Sequence, residues 1–417
     1  MVKPSVPQWR CGVIEASKGA RMERIGVEER RTRLGRRHRL GAGCQAADPV
    51  EAAASMVALH ASDPATVHLS VAARVPGSDV ADTERALYDD RSLIRMLGMR
   101  RTVFVVPTPF APIVQAACTN DIAVKQRKLL VKHLLEAEVA EDADACGEWL
   151  AAVEEATATA LALRGSATAQ ELSADEPRLR TRLSMAPGKS YGAQPYVTSR
   201  VLFQLAADGR IVRGRPLGTW LSGQHQWSPA ADWLPAGLGD KLAAEEARVT
   251  LARAWLASFG PGTTADLQWW AGWTLGQTRK ALAAVEAVEV DLDGQVGFVL
   301  PGDEAPEVPV EPWVAFLPGL DPTPMGWKER DWFLGPHKAK LFDTTGNIGP
   351  SIWSDGRIIG AWGQPESGEV RYQLLEDVGA DTTAMVEAEA ARWTKWLAGV
   401  RVTPRFRSPL EKHLSQG

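Results

Sequence analysis

Three arginines in a seven-residue run carry the clearest chemistry in this sequence. Arg210-Ile-Val-Arg213-Gly-Arg215-Pro216 alternates like a half-exposed strand entering a hairpin. Guanidiniums in that setting suit phosphate oxygens. A helix signal comes just before it. Pro195 can open a helix, Val197, Val201, Leu202 and Leu205 form one apolar stripe, and Arg200 and Gln204 lie between them. Asp208-Gly209 ends that helix. Upstream, Thr168-Ala-Gln-Glu171 is a capping box that starts another. Helix, turn, second helix and basic hairpin, running to Trp227, outline a winged helix, which makes nucleic acid the first partner to test.

Other chemistries lack their signatures. No H-E-x-x-H, Walker A, G-x-S-x-G or dinucleotide fingerprint occurs, and His225 and His337 have no ligand-spaced partners. Cys11, Cys44, Cys118 and Cys146 are scattered without C-x-x-C spacing. The expectation is no metal and no cofactor. The chain has 417 residues, room for two to four domains, and a net charge of −4. That charge excludes a protein basic all over, but its positive part is segregated. Arg30, Arg31, Arg33, Arg36, Arg37 and Arg39 crowd one segment, whereas acid collects from Glu136 to Asp144. Any single cluster of this kind is ordinarily a solvated face. No apolar run reaches the length of a membrane span, and the N-terminus lacks a signal-peptide core. A cytoplasmic protein is expected.

The elements needed to position those arginines repeat along the chain. Residues 1–26 read as a flexible tail, with Met22 an alternative start. Val27 to Leu40 can form a helix. Asp48-Pro49-Val50-Glu51 starts another, expected to end near His60, and Asp63-Pro64 and Asp79 or Asp82 start two more. Ser92 to Leu97 and Arg101 to Val106 then read as a hairpin, so that 27–145 makes a first winged-helix unit with linker helices. The second occupies 146–236. The third, 237–302, has helix starts at Thr263 or Thr264 and at Thr274, then Val288 to Leu300 as a hairpin around Asp293-Gly294. Its wing is acidic, which argues against it lying along phosphates. From 303 to 417 the texture changes to short strands, with a hairpin at Asp355-Gly356, a helix around Thr383 to Leu397 and a basic final strand from Val400 to Arg407. The fold class expected is α+β: three tandem winged-helix units around a concave surface, followed by a β-rich, small barrel-like C-terminal domain.

With its elements in this order the chain resembles the bacterial winged-helix family that includes the AlkZ-like DNA glycosylases, which unhook interstrand crosslinks and remove bulky alkylated purines. The resemblance rests on Leu59-His-Ala-Ser-Asp-Pro64, Leu93-Ile-Arg-Met-Leu-Gly-Met-Arg100-Arg-Thr102, Asp266-Leu-Gln-Trp-Trp-Ala-Gly-Trp273, Phe316-Leu-Pro-Gly-Leu-Asp321 and Asp355-Gly-Arg-Ile-Ile-Gly-Ala-Trp362. Glycosylases of the family carry Gln–hydrophobic–Gln or Gln–hydrophobic–Asp in the first unit; the matching positions here are His60-Ala61-Ser62. The resemblance therefore makes His60 a candidate base and Ser62 a candidate water ligand, with Asp63 beside them as a carboxylate. Each has a plain alternative: His60 at a helix C-terminus suits a phosphate contact or capping, and Asp63 before Pro64 is first an N-cap. His68 on its Ala/Val helix is expected to be packed, and Trp269, Trp270 and Trp273 to anchor the third unit's core rather than stack on a base.

The function expected is thus glycosylase-type repair or genotoxin resistance, acting as a monomer on bulky N7-alkylated or crosslinked purines in double-stranded DNA, without membrane or metal. The contacts would come from Arg36, Arg37, Arg95, Arg100, Arg101, Arg200, Arg210, Arg213 and Arg215. The alternatives are a non-catalytic DNA-binding protein, whether regulator or lesion-shielding factor, and a binder of a small genotoxin or metabolite.

Overall fold

A computed structural model describes residues 22–184, 194–235, 237–238 and 242–416. The first helix, α1 (Val27–Arg37), is followed by α2 (Pro49–Ser55), β1 (Leu59–His60), α3 (Pro64–Ala72), α4 (Val80–Glu84), β2 (Leu93–Gly98) and β3 (Thr102–Pro107). The side chains of Asp48 and Asp63 cap α2 and α3, as Asp-Pro starts do. These strands form an antiparallel sheet in the order β1-β3-β2. The helix expected to run to His60 stops at Ser55 instead. Val57 takes a left-handed φ of 61°, which no helix continues through, and the chain re-enters as β1, with His60 opposite Phe104.

Three linking helices follow: α5 (Ala111–Val114), α6 (Asn120–Glu136) and α7 (Ala143–Arg164). Then come α8 (Ala169–Asp175), α9 (Thr198–Ala207), β4 (Ile211–Pro216) and β5 (His225–Pro229). Next are α10 (Ala244–Phe259), α11 (Thr264–Ala271), α12 (Leu275–Ala284), β6 (Val288–Leu292) and β7 (Gln295–Val299). The capping boxes at Thr168, Thr263 and Thr274 are all formed. One arrangement recurs. Before the second helix of each set, one extended residue or short strand pairs with the hairpin's last strand: His60 with Phe104, Ala167 with Trp227 and Gly262 with Phe298. Identical topology thus arises from three sequences that share little beyond the order of their elements.

The C-terminal part holds β8 (Val314–Leu317), α13 (Asp331–Leu334), α14 (Lys338–Leu341), β9 (Ser351–Ser354), β10 (Arg357–Gly363), β11 (Arg371–Leu374), α15 (Gly379–Leu397) and α16 (Pro409–Leu414). Its sheet, in the order β11-β10-β9-β8, is open, which corrects the barrel-like expectation. Trp393, Leu397, Ala390 and Val386 of α15 bury Phe316, Ile352 and Trp362 beneath them, so one face is closed by a helix rather than by more strands. The expected final strand is also absent. Between Val400 and Arg407 backbone N–H groups go to side chains, Val402 to Gln364 Oε1 at 2.9 Å and Arg405 to Asp63 Oδ2 at 2.8 Å. α16 opens at Ser408-Pro409, the Ser408 side chain accepting from the Glu411 N–H.

The core is continuous through the first and third sets of elements and the C-terminal part, whereas the second set packs its own cluster with α6 and α7. Part of the tail expected to be loose is not so: Ile25 is buried against Val290 and Val299, and Arg24 pairs with Asp293 at 2.6 Å. The remainder of that tail and Cys11 lie outside the described residues. Cys44, Cys118 and Cys146 are free and buried. Among the described residues no helix is long and apolar enough to cross a membrane.

Candidate active site and phosphate-binding arginines

The segment His60-Ala61-Ser62-Asp63 leaves the sheet at β1 and turns into α3. His60 is buried, its ring edge-on to Phe104 at 5.3 Å. The Ser62 N–H donates to His60 Nδ1 at 3.4 Å, a long contact. Burial, helped by the charge of Arg100, pushes the imidazole down to about 3, so it is neutral at physiological pH. A strand position replaces the expected helix C-terminus, and with it goes the dipole that would have favoured the imidazolium. Ser62 is half-buried. Asp63 Oδ1 accepts from the Ala65 N–H at 3.2 Å, and Oδ2 accepts from the Arg405 N–H at 2.8 Å. The carboxylate therefore caps α3 and pins the C-terminal segment at once.

Arginines flank this segment on two sides. On one, Arg405 donates to the Ser62 carbonyl at 3.1 Å and stands, with Arg95, near enough to Arg213 for their charges to act on it. Arg213, half-buried over Trp227 at 5.4 Å, is pulled down to about 10, first by burial and then by Arg95 and Arg405. Arg95 is buried on β2. Among the described residues none of these three has a carboxylate partner, which is costly for buried Arg95 and half-buried Arg213 unless an anion completes them, whereas Arg405 is exposed. On the other side Arg100 and Arg330 hold Trp269 at 3.8 and 4.7 Å. Both are lowered to about 10, chiefly by burial. Arg101 lies over Phe203 at 5.3 Å, near Arg200.

The other arginines named from sequence are placed differently. Arg37 binds Asp303 at 2.6 Å and Glu307 at 2.9 Å, and Arg36 reaches Glu307 at 3.4 Å. Arg33 joins the same clasp, so these three arginines of α1 fasten the 303–307 segment rather than presenting unmatched charge. Arg210 pairs with Glu155 at 2.7 Å. Arg215 pairs with Glu84 and Asp89 at 3.1 and 2.8 Å, tying β4 to the first unit. His68 is buried near Trp220, and Trp270 and Trp273 are core residues as expected. Among the described residues no group of three or more metal-ligating side chains comes together.

Sequence reasoning overlooked Arg330 and gave Arg405 no role. Neither has a local signal, because each reaches the site from the C-terminal part. The Phe316 to Asp321 motif proves structural: Asp321 is fully buried and binds Arg74 of the first unit at 2.7 Å, with Ser70 and Thr323 hydroxyls around the pair.

Comparison with known proteins agrees with this architecture. Residues 53–396 match the family model described as DNA glycosylase AlkZ-like. An interstrand DNA cross-link repair glycosylase of Streptomyces sahachiroi is 29% identical over 143 residues. That match spans 32% of this chain and 37% of the relative, so the chain covers well under two thirds of that relative's length. The solved structure of the Streptomyces sahachiroi DNA glycosylase AlkZ superposes with a TM-score of 0.68 at 21% identity, over 92% of this chain and 99% of that one.

Proposed function

The chain belongs to the AlkZ-like DNA glycosylase family, and we propose that it hydrolyses the N-glycosidic bond of bulky N7-alkylated or crosslinked purines in double-stranded DNA. The observation that carries the reading is the His60–Asp63 turn, set between two groups of arginines that lack carboxylate partners. The three sets of helices and hairpin are winged-helix units, of which the first supplies the turn and the second the arginine beside it. Backbone phosphates satisfy Arg405 and Arg95 on one side and Arg100 and Arg330 on the other. The protein acts as a cytoplasmic monomer.

In the reaction a water oxygen bonds to C1′ as the C1′–N9 bond breaks. The bonding pair neutralises the cationic purine, so departure needs no protonation of the base. What the protein must supply is a placed water and a proton acceptor. Ser62 Oγ holds the water, and His60 takes its proton at Nδ1 as the long contact from the Ser62 N–H is given up. The imidazole is a weak base in the free protein, but a phosphate arriving beside Arg100 cancels one of the two effects that depress it. Asp63 sets the turn. The test is base release from duplex DNA carrying an N7-alkylguanine, read as alkali-labile strand breaks. Loss of release in His60→Ala and Ser62→Ala, with duplex binding retained, supports these roles; undiminished release in both removes them. Binding without release by the unaltered protein would instead favour a non-catalytic, lesion-shielding role.

A further inference from the structure

A second concavity lies in the middle unit, between α9 and the β4–β5 hairpin. It encloses about 470 Å³ and is walled by Leu202, Phe203, Leu217 and Trp227, with Arg213 and His225 among its polar groups, beside Gln170, Ser199 and Gln224. Arg213 has no carboxylate partner among the described residues, and its guanidinium lies over the Trp227 ring at 5.4 Å. His225 Nε2 is buried without a hydrogen-bond partner. Its other nitrogen, Nδ1, lies 3.2 Å from the Gly223 carbonyl, which can only accept, so Nδ1 carries the proton and Nε2 is left as an acceptor. The pocket's wall reaches the candidate active site. An added Cβ on Gly223 would stand 2.4 Å from Arg405 Nη2, and the same guanidinium donates to the Ser62 carbonyl.

We propose that this pocket binds a planar aromatic group bearing an oxyanion. The ring lies against the apolar walls, the oxyanion completes Arg213, and a neighbouring hydroxyl or N–H of the ligand donates to His225 Nε2. An uncompensated cation, an unused acceptor and aromatic walls together select that chemistry over a plain hydrocarbon or a bare anion. The group belongs either to a free aromatic acid or to the substituent on a damaged base. The second source rests on the glycosylase reading above; the pocket itself does not.

The experiment uses the full chain and two probes that differ in one group, 8-anilino-1-naphthalenesulfonate and its neutral analogue N-phenyl-1-naphthylamine, followed by fluorescence. Tighter binding of the sulfonate by about tenfold or more, lost in both Arg213→Gln and Leu217→Trp, is the expected result. Leu217 is 39% exposed, so the tryptophan fills the pocket's mouth without disturbing the core, and an unchanged melting temperature verifies that. Equal binding of the two probes, or sulfonate binding unaltered in both variants, overturns the proposal. A second arm compares release of N7-methylguanine and N7-(4-carboxybenzyl)guanine from duplex DNA. Leu217→Trp slowing only the bulky adduct assigns the pocket to the lesion's substituent. Unchanged release of both, with sulfonate binding lost, assigns it to a free aromatic acid. No release of either adduct by the unaltered protein counts against the glycosylase reading and leaves the first arm to decide the pocket.

Discussion

His60 shows how much a residue's chemistry depends on where its backbone runs. Beside a helix C-terminus it would be a cation; opposite Phe104 in a sheet it is a buried neutral ring. His38 and His68 share that fate, each pushed down to about 3 by burial. In the unfolded chain all three take up protons near pH 6.5, but in the folded chain only near 3. The unfolded state therefore binds more protons across that window, and stability falls as pH drops through it, by roughly 1 kcal/mol per pH unit for each histidine. Urea midpoints measured from pH 7.5 to 5 should fall steeply, and less steeply in His68→Phe; a flat profile would contradict neutral burial. Asp63 also invites a residue-scale test. Asn keeps one accepting oxygen, enough for the α3 cap or the Arg405 N–H but not both, so Asp63→Asn should cost about 1–3 kcal/mol without unfolding the chain. If base release then survives, the carboxylate is structural, and its loss would make Asp63 the proton acceptor in place of His60.

At the scale of elements, the β2–β3 turn is the strained piece of the site. Arg100 and Arg101 both adopt left-handed φ, 54° and 64°, a conformation that costs about 1 kcal/mol or more for residues other than glycine and asparagine. Gly272, with φ of 75° at the end of α11, lets the turn approach, since an added Cβ would meet Arg100 N at 3.1 Å. Replacing Arg100-Arg101 by Asn-Gly should relieve the strain at the cost of the stacking on Trp269. Thermal stability is expected to change by less than about 1 kcal/mol while duplex affinity drops severalfold. An equal loss of both would mean that the arginines serve the fold. The α3 connection to the C-terminal part behaves differently. Arg74→Met leaves the Asp321 carboxylate buried and alone, and should cost about 3–5 kcal/mol in chemical denaturation, much of it recovered in Arg74→Met/Asp321→Leu.

For the whole molecule the question is where positive charge remains unmatched. The net charge of −4 conceals a segregation that ion pairing makes sharper: Arg33, Arg36 and Arg37 of α1 are consumed by Asp303 and Glu307, and Arg210 and Arg215 by neighbouring acids. Arg100 and Arg405, without carboxylate partners among the described residues, reach the His60 turn from the first and C-terminal parts, and Arg213 of the second stands beside Arg405. Duplex affinity should therefore fall linearly with the logarithm of salt, with a slope of about 0.9 per phosphate engaged. Arg100→Gln and Arg405→Gln should each reduce that slope by about 1, whereas Arg36→Gln should leave it unchanged. Equal effects from all three would return the α1 arginines to the interface.

Local signals sufficed for much of this. The Asp-Pro starts, the capping boxes at Thr168, Thr263 and Thr274, and the hairpins around Asp293-Gly294 and Asp355-Gly356 are encoded within a few residues, because a cap or a tight turn is satisfied by its own neighbours. The fate of charge was not so encoded. Whether Arg37 meets an acid 266 residues away, whether Arg405 arrives at Ser62 from 343, and whether His60 sits in a strand all depend on packing between distant segments. The sequence by itself determined the elements and their order, since those are set by near-neighbour hydrogen bonding and periodicity. Only the tertiary structure decided which cations stay uncompensated, because electrostatics acts through space and takes no account of separation along the chain.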